Sequence, residues 1–329
     1  MISVRGDLEN LRARLGPSPL DGIVEGIHHL QYVVGEGQAA PLVAEYATLT
    51  NFRPAGSVRH RATGRRYHVL RLAGAAVGLV IEEQSGPLVG FPRLAGLAFR
   101  CTDLAAVERV LTELGVARRR TGMGIVTDPI PGLDDRFAYT DGADYDWFSG
   151  ADFEPLEPPA VTEPAPAHTV GEVDHIAYRI RADGVRAAAE WIMRLTPYRY
   201  SECYTVHGEK AETTVYRLGD RKPAIVISYG WDPESVVAKY AAKYGSRVHH
   251  TAYYTPGILS TVAGQRERGL NFTTPEIIGS PARGLYQIFT APSPYHLEIT
   301  EYIERFGGFQ GFFDAANVGD LMTSTRPFS

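Results

Sequence analysis

Four short segments of the chain repeat one arrangement of apolar and polar positions: Ile27–Tyr32 (IHHLQY), Ala95–Phe99 (AGLAF), Val173–Tyr178 (VDHIAY) and Val248–Tyr253 (VHHTAY). Each reads as a short strand followed by a turn and a stretch with helical spacing. The spacing predicts helices over Ala105–Leu114, Val185–Leu195 and Ile258–Arg268, the first with Asp103 as N-cap and Gly115 just past its end. Alternating segments then predict strands at Tyr67–Leu72 and Val77–Glu83, at Thr213–Leu218 and Ala224–Ser228, and at Leu285–Thr290 and Tyr295–Ile303. In the second repeat only Arg136–Thr140 and Tyr145–Phe148 stand out. A strand, a helix and then several antiparallel strands, four times over, is an α+β pattern of tandem βαβββ modules. One module cannot cover both faces of its sheet, so modules pair, and each half of the chain is expected to form an open barrel.

The halves are separated at Glu154–His168, where Pro155, Pro158, Pro159, Pro164 and Pro166 exclude a continuous helix or central strand. The expected organisation is an N-terminal domain over residues 1–153, a proline-rich linker over 154–170 and a C-terminal domain over 171–329. With 329 residues, each half is long enough for its own core. The longest apolar run, Ala73–Ile81, is far shorter than the roughly 20 residues of a membrane helix, so no membrane partner is expected. Met1–Leu15 lacks an apolar centre and reads as no signal peptide. The expected location is cytoplasmic. A net charge of −5 argues against a nucleic-acid partner, and Arg61–Arg66 and Arg118–Arg120 read as solvated faces. Two cysteines, Cys101 and Cys203, make neither a disulfide framework nor a thiolate cage.

The candidate chemistry lies in the repeat itself. His175 and His250 occupy one position in the first strands of the third and fourth modules, so a pseudo-twofold would bring them to face each other across a cavity. Two imidazoles and one carboxylate on one side of a metal, with open positions opposite, is the ligand set of non-haem Fe(II) oxygenases. The carboxylate is expected from the last strand, which offers Glu298 and Glu301 on opposite faces. A tight turn at Ala291–Pro294 would pair Gln287 with Glu298 and Phe289 with His296, which favours Glu298, with Glu301 as the alternative. Strand alternation turns His249 away from the cavity, as a structural residue. In the N-terminal half, His29 matches His175 but Gly96 stands opposite His250, so that half is expected to be a metal-free scaffold.

The segments VDHIAYRI, SRVHHTAYYT and LYQIFTAPSPYHLEIT resemble the three ligand segments of the vicinal oxygen chelate superfamily. Within it, the chain resembles the family of 4-hydroxyphenylpyruvate dioxygenase and hydroxymandelate synthase over most of residues 23–321. The resemblance implies Fe(II) held by His175, His250 and Glu298. It implies a pocket lined by Gln287 and Phe289, and a gating segment entered through Gly307-Gly308-Phe309, with Phe313, Asn317 and Leu321 beyond. Phe309, Phe312 and Phe313 would close the pocket against water. The EYIER segment, set against the family's Glu-Ile-Ile-Gln-Arg, favours Glu301 instead. Departures include His249 in place of a Gln, Val318 in place of a Phe, and a shorter stretch before Gln287. The implied reaction is O2-dependent oxidative decarboxylation and hydroxylation of a small aromatic 2-oxo acid, in a chain compatible with a homo-oligomer. Two other readings remain: extradiol catechol cleavage, with His207, His296 or Tyr254 recruited, and a non-catalytic ligand-binding protein.

Overall fold

The repeated β-branched and aromatic alternation folds into two sheets of eight and nine strands, one per half of the chain. The computed structural model describes residues 4–86, 88, 90–142, 145–161, 170–307, 309 and 311–329. The chain opens with α1 (Val4–Leu15), followed by the first module: β1 (Val24–Val34), α2 (Ala39–Leu49), β2 (Arg53–His60), β3 (Arg66–Arg71) and β4 (Gly78–Glu83). The second holds β5 (Arg93–Cys101), α3 (Leu104–Glu113), β6 (Arg118–Thr121), β7 (Gly124–Thr127) and β8 (Arg136–Thr140), with β9 (Phe153–Leu156) after it. The third comprises β10 (Val173–Ile180), α4 (Val185–Leu195), β11 (Arg199–Val206), β12 (Ala211–Leu218) and β13 (Arg221–Gly230). After α5 (Val236–Tyr244) the fourth has β14 (Arg247–Tyr254), α6 (Ile258–Glu267), β15 (Ile278–Ser280), β16 (Leu285–Phe289) and β17 (Ile299–Arg305), and α7 (Ala315–Ser324) closes the chain.

The C-terminal sheet runs β11-β12-β13-β10-β14-β17-β16-β15, so the third and fourth modules mirror each other about the antiparallel β10–β14 pair. The N-terminal sheet repeats this order about β1–β5 and adds β9 at the β2 edge. This is the α+β arrangement of paired modules that the sequence pattern implies. Helix α3 is capped as expected: the Asp103 side chain accepts from the Ala106 N–H at 2.9 Å, and Gly115 takes φ 67° just past the end.

Several expectations are corrected. Residues 145–148 form no strand; Tyr145 sits at φ 62° and Asp146–Ser149 makes one tight helical turn, buried against Tyr67 and Phe153. The basic Arg118–Thr121 is a sheet-edge strand, with Arg119 and Arg120 exposed to solvent. The start of the linker is strand β9 on β2, while its residues 162–169, and Gly308 further on, lie outside the described residues. Helix α1 packs on α4 and β11 of the C-terminal half, with Arg12 donating to the Tyr200 carbonyl at 2.9 Å. No helix among the described residues is long and apolar enough to cross a membrane.

One continuous apolar core runs through both halves, from Leu42 and Val107 to Ile192 and Val262. Helix C-terminal carbonyls, which have no partner within their helix, are satisfied across the junction. Tyr302 donates to the Leu49 carbonyl at 2.8 Å, Gln265 to Thr48 at 2.7 Å, and Tyr139 to Leu195 at 2.8 Å. Gly132, at φ 86°, lies against Gly184 of the other half, where a Cβ on either would collide with backbone.

Asp135 is fully buried at this junction, and burial pushes its carboxyl up to about 7, with Arg93 at 3.9 Å offsetting part of the rise. A raised folded value contributes stability that is complete below the unfolded carboxyl range, about 3.9, and is lost as pH rises through the folded value. Thermal melts are therefore expected to show wild type losing stability between about pH 4 and 7, with Asp135→Asn more stable than wild type at pH 8. Equal pH profiles for the two proteins would show that Asp135 is ionised at no cost.

Candidate metal centre

His175 stands on β10 and His250 on β14, at adjoining positions of the central pair: His175 is opposite Ala252, and His250 opposite Ala177. Strand β17 runs parallel to β14 and places Glu301 beside Ala252. The three side chains meet. Glu301 Oε2 lies 3.0 Å from His175 Nε2 and 3.3 Å from His250 Nε2. One ligand atom from each falls within 4.8 Å of the others, the single such group among the described residues. His175 and Glu301 are fully buried and His250 is half-buried, and apart from one another His175 Nε2 and Glu301 Oε2 have no hydrogen-bond partner. Two imidazole nitrogens and a carboxylate oxygen gathered this closely, two of them buried without an outside partner, are a donor set that a divalent transition metal can complete.

Outer groups fix each of the three side chains. His175 Nδ1 lies 3.0 Å from Asp174 Oδ1, and Arg305 grips the same carboxylate at 2.7 and 3.0 Å. His250 Nδ1 lies 2.9 Å from His249 Nδ1. Gln287 Nε2 donates to Glu301 Oε1 at 2.8 Å, and its own carbonyl oxygen accepts from Asn317 Nδ2 at 3.0 Å. Glu301 Oε1 is thus occupied and Oε2 left to face the histidines. Partners of this kind orient metal ligands and, in the neutral imidazole, keep the proton on Nδ1 so that Nε2 is left for the metal.

Burial acts to lower the pKa of His175, but the Glu301 and Asp174 carboxylates outweigh it and hold it above the ordinary value. Burial, with His175 and Arg179 nearby, holds His250 well below. His250 is therefore a neutral donor, and a cation entering the site displaces a proton shared by His175 and Glu301.

The choice of Glu298 is corrected by the register of the last hairpin. Gln287 pairs with Ile303 and Phe289 with Glu301, so the connection is the long loop Thr290–Glu298 rather than a tight turn. Leu297 at φ 64° and the Ser293 N–H to Glu298 carbonyl bond, 2.8 Å, shape this loop. Glu298 itself turns to the junction of the halves and accepts from the Leu94 N–H at 2.7 Å.

His249 is also corrected: it lines the cavity. A β-bulge lies between the Ala177–His250 and Tyr178–Val248 pairs, which breaks strict alternation and brings neighbouring histidines to one side. A matching bulge between Val173 and His175 accommodates Asp174, which the sequence pattern did not single out.

A cavity opens beside His175, His250 and Glu301. Gln287 and Phe289 line it as expected, with Phe289's ring 4.7 Å from His250's. Phe313 lines it too, 5.1 Å from the His175 ring, while Phe312 packs behind under the Arg305 guanidinium. Phe309 does not; it packs on Ala252, Leu285 and Ile303. Val318, Leu321 and Met322 of α7 form one wall. Of the residues named for catechol cleavage, none lines the cavity: His207 is exposed, Tyr254 ends β14, and His296 stacks on Tyr46 at 5.9 Å.

In the N-terminal sheet the register is the same. His29, Gly96 and Ala138 occupy the positions of His175, His250 and Glu301, because Gly96 faces Gln31 and Ala138 lies beside Ala98. Glycine and alanine offer no ligand at two of the three positions.

No family model matches the chain. An uncharacterised protein of Synechocystis is 26% identical over 110 residues, 32% of either chain, so the matched stretch is about a third of that relative's length. Among solved structures, a triple mutant of 4-hydroxymandelate synthase from Streptomyces coelicolor superposes with a TM-score of 0.73 at 22% identity, covering 93% of this chain and 99% of that one. A fusion of a xylose isomerase-like TIM barrel with 4-hydroxyphenylpyruvate dioxygenase gives 0.65 at 17% identity, over 92% of this chain and 52% of the fusion. A halotolerant catechol dioxygenase gives 0.55 at 11% identity, over 89% and 90%. The chain thus carries the vicinal oxygen chelate fold, in the two-half form shared along nearly the whole length of the synthase.

Proposed function

We propose that the protein is a non-haem Fe(II) dioxygenase acting on a small 2-oxo acid, with His175, His250 and Glu301 as the metal ligands. The observation that carries the proposal is the meeting of these three side chains at the wall of a cavity, with His175 Nε2 and Glu301 Oε2 buried and without an outside partner. Ferrous iron held by three protein groups on one side would supply chelation of the 2-oxo acid and activation of O2 for oxidative decarboxylation and hydroxylation.

The chain's own residues hold and shield that chemistry. Asp174 and His249 lock the imidazoles, and Gln287 with Asn317 holds the carboxylate, so little reorganisation is left when substrate arrives. Phe289, Phe313, Val318, Leu321 and Met322 keep water from the reacting centre. Both ends of the Gln287 amide are engaged, so its role is to position Glu301 rather than to bind substrate directly. The likeness to the synthase, closer and more complete than that to the catechol dioxygenase, favours a 2-oxo acid over a catechol.

Iron-loaded protein is expected to consume O2 and release CO2 in equal amounts with an arylpyruvate, and to leave catechols uncleaved. O2 uptake with catechol and a ring-cleaved product, without CO2, would replace this reading by extradiol cleavage. Ligand binding unaffected by His175→Ala would replace it by a non-catalytic binding protein.

A further inference from the structure

The cavity has a second polar end. Arg179 follows His175 on β10 by four residues, and the β10–β13 register runs without a shift from His175–Ala224 to Arg179–Ser228. Both side chains therefore leave the same face of the sheet, roughly 13 Å apart along the strand at about 3.3 Å per residue. Arg179 lines the cavity with Ser228 and Thr213, whose hydroxyls lie 2.9 Å apart. Val226, opposite Ala177, lies between the two ends, and Phe289, Val318, Leu321 and Met322 also line the cavity.

Arg179 is only 3% exposed. Its Nη2 donates to Thr325 Oγ1 at 2.7 Å and its Cζ sits 5.4 Å from the Tyr240 ring centroid, but its Nη1 has no acceptor. Among the described residues no carboxylate stands within ion-pair distance of it. Burial lowers its pKa to about 10, so the guanidinium stays charged at neutral pH. Glu209 favours the charge from beyond ion-pair distance, but no carboxylate pairs with the buried guanidinium directly, and an anionic oxygen acceptor is the group that would do so. Structural support of α7 through Thr325 uses one nitrogen and leaves the other unexplained.

We propose that Arg179 is a specificity-determining residue that receives a carboxylate at the end of the substrate remote from the metal. The substrate class is then a 2-oxo acid whose apolar middle carries a second, distal carboxylate. A neutral hydroxyl could accept a hydrogen bond from Nη1 but would leave the charge unbalanced. The 2-oxo acid end rests on the function proposed above; the carboxylate end rests on Arg179 alone.

Two titrations separate these parts. In metal-free protein, calorimetry compares 4-methylbenzoate with the neutral 4-methylbenzamide. In anaerobic Fe(II)-loaded protein, a visible charge-transfer band is titrated with 4-carboxyphenylpyruvate and with phenylpyruvate. In both, the carboxylated ligand is expected to bind wild type about tenfold tighter or more, a charge-assisted hydrogen bond being lost with the other ligand. Arg179→Gln, which can still bond Thr325, removes that preference and leaves affinity for the other ligand within about twofold; Arg179→Lys restores part of it. Equal affinities in wild type, which need no variant to fold, overturn the proposal, and so does a preference that survives Arg179→Gln. A metal-free preference that depends on Arg179, with no band for either pyruvate, upholds the carboxylate end and removes the 2-oxo acid reading.

Discussion

Glu301→Gln is expected to abolish stoichiometric Fe(II) binding, whereas Glu298→Gln leaves it within about threefold of wild type. Loss of an outer partner of a metal ligand costs about 10–100-fold in affinity, and loss of the one anionic ligand exceeds that. Glu301 Oε2 is the atom that both histidines face, at 3.0 and 3.3 Å. Glutamine keeps the bond from Gln287 only after a flip of its amide and brings no charge to the metal. Glu298 accepts from the Leu94 N–H, a bond that a glutamine oxygen also accepts, so its replacement touches the junction of the halves and not the site. Metal analysis after anaerobic loading and desalting checks both variants. Iron lost with Glu298→Gln and kept with Glu301→Gln would restore the tight-turn register.

Asp174→Ala is expected to lower both stability and iron affinity, by separable routes. Asp174 is fully buried and bound to Arg305, which also donates to the Phe312 carbonyl at 2.6 Å and lies over the Phe312 ring at 4.4 Å. Removing one partner of such a buried pair costs about 3–5 kcal/mol, because the other charge is left uncompensated. Asp174→Ala also frees the His175 ring, and iron affinity is expected to fall about 10–100-fold. In Asp174→Asn the amide oxygen still accepts from His175 Nδ1, so the variant is expected to recover more of the iron affinity than of the stability. Chemical denaturation of the metal-free proteins reads the first effect, and iron titration reads the second. Wild-type stability in Asp174→Ala would mean that Arg305 is held by its other contacts alone.

The repeat made the histidines legible. His175 and His250 occupy equal positions in equal strands, and a pseudo-twofold about β10–β14 needs no loop to bring them together. The carboxylate depended on a register that local sequence does not contain. The Thr290–Glu298 loop is shaped by the other half of the chain: Ser293 donates to Glu45 at 2.7 Å, and Arg247 bridges the carbonyls of His296 and Pro92 at 2.6 and 3.0 Å. A hairpin judged by its own residues closes tightly, and a hairpin held across a domain junction stays open. Strand alternation failed at His249 for a related reason, since a bulge adds one residue to one strand and turns its neighbours. Helix α1 had no apolar pattern strong enough to show that its Leu8 and Leu11 are buried, and only the fold reveals α4 and β11 as their cover. Nothing in the sequence pattern singles out Arg179, which the sheet places, half-partnered, in the same cavity as the ligand triad.

The metal centre and its substrate class are tested together by anaerobic loading with Fe(II), addition of an arylpyruvate and a visible absorption scan. The expected result is a charge-transfer band that needs one iron per chain, is absent in Glu301→Gln, and disappears on admitting O2 with release of CO2. Iron bound at His175, His250 and Glu301 with no band for any 2-oxo acid tried would contradict the proposed substrate class. No iron bound at all would contradict the metal centre itself.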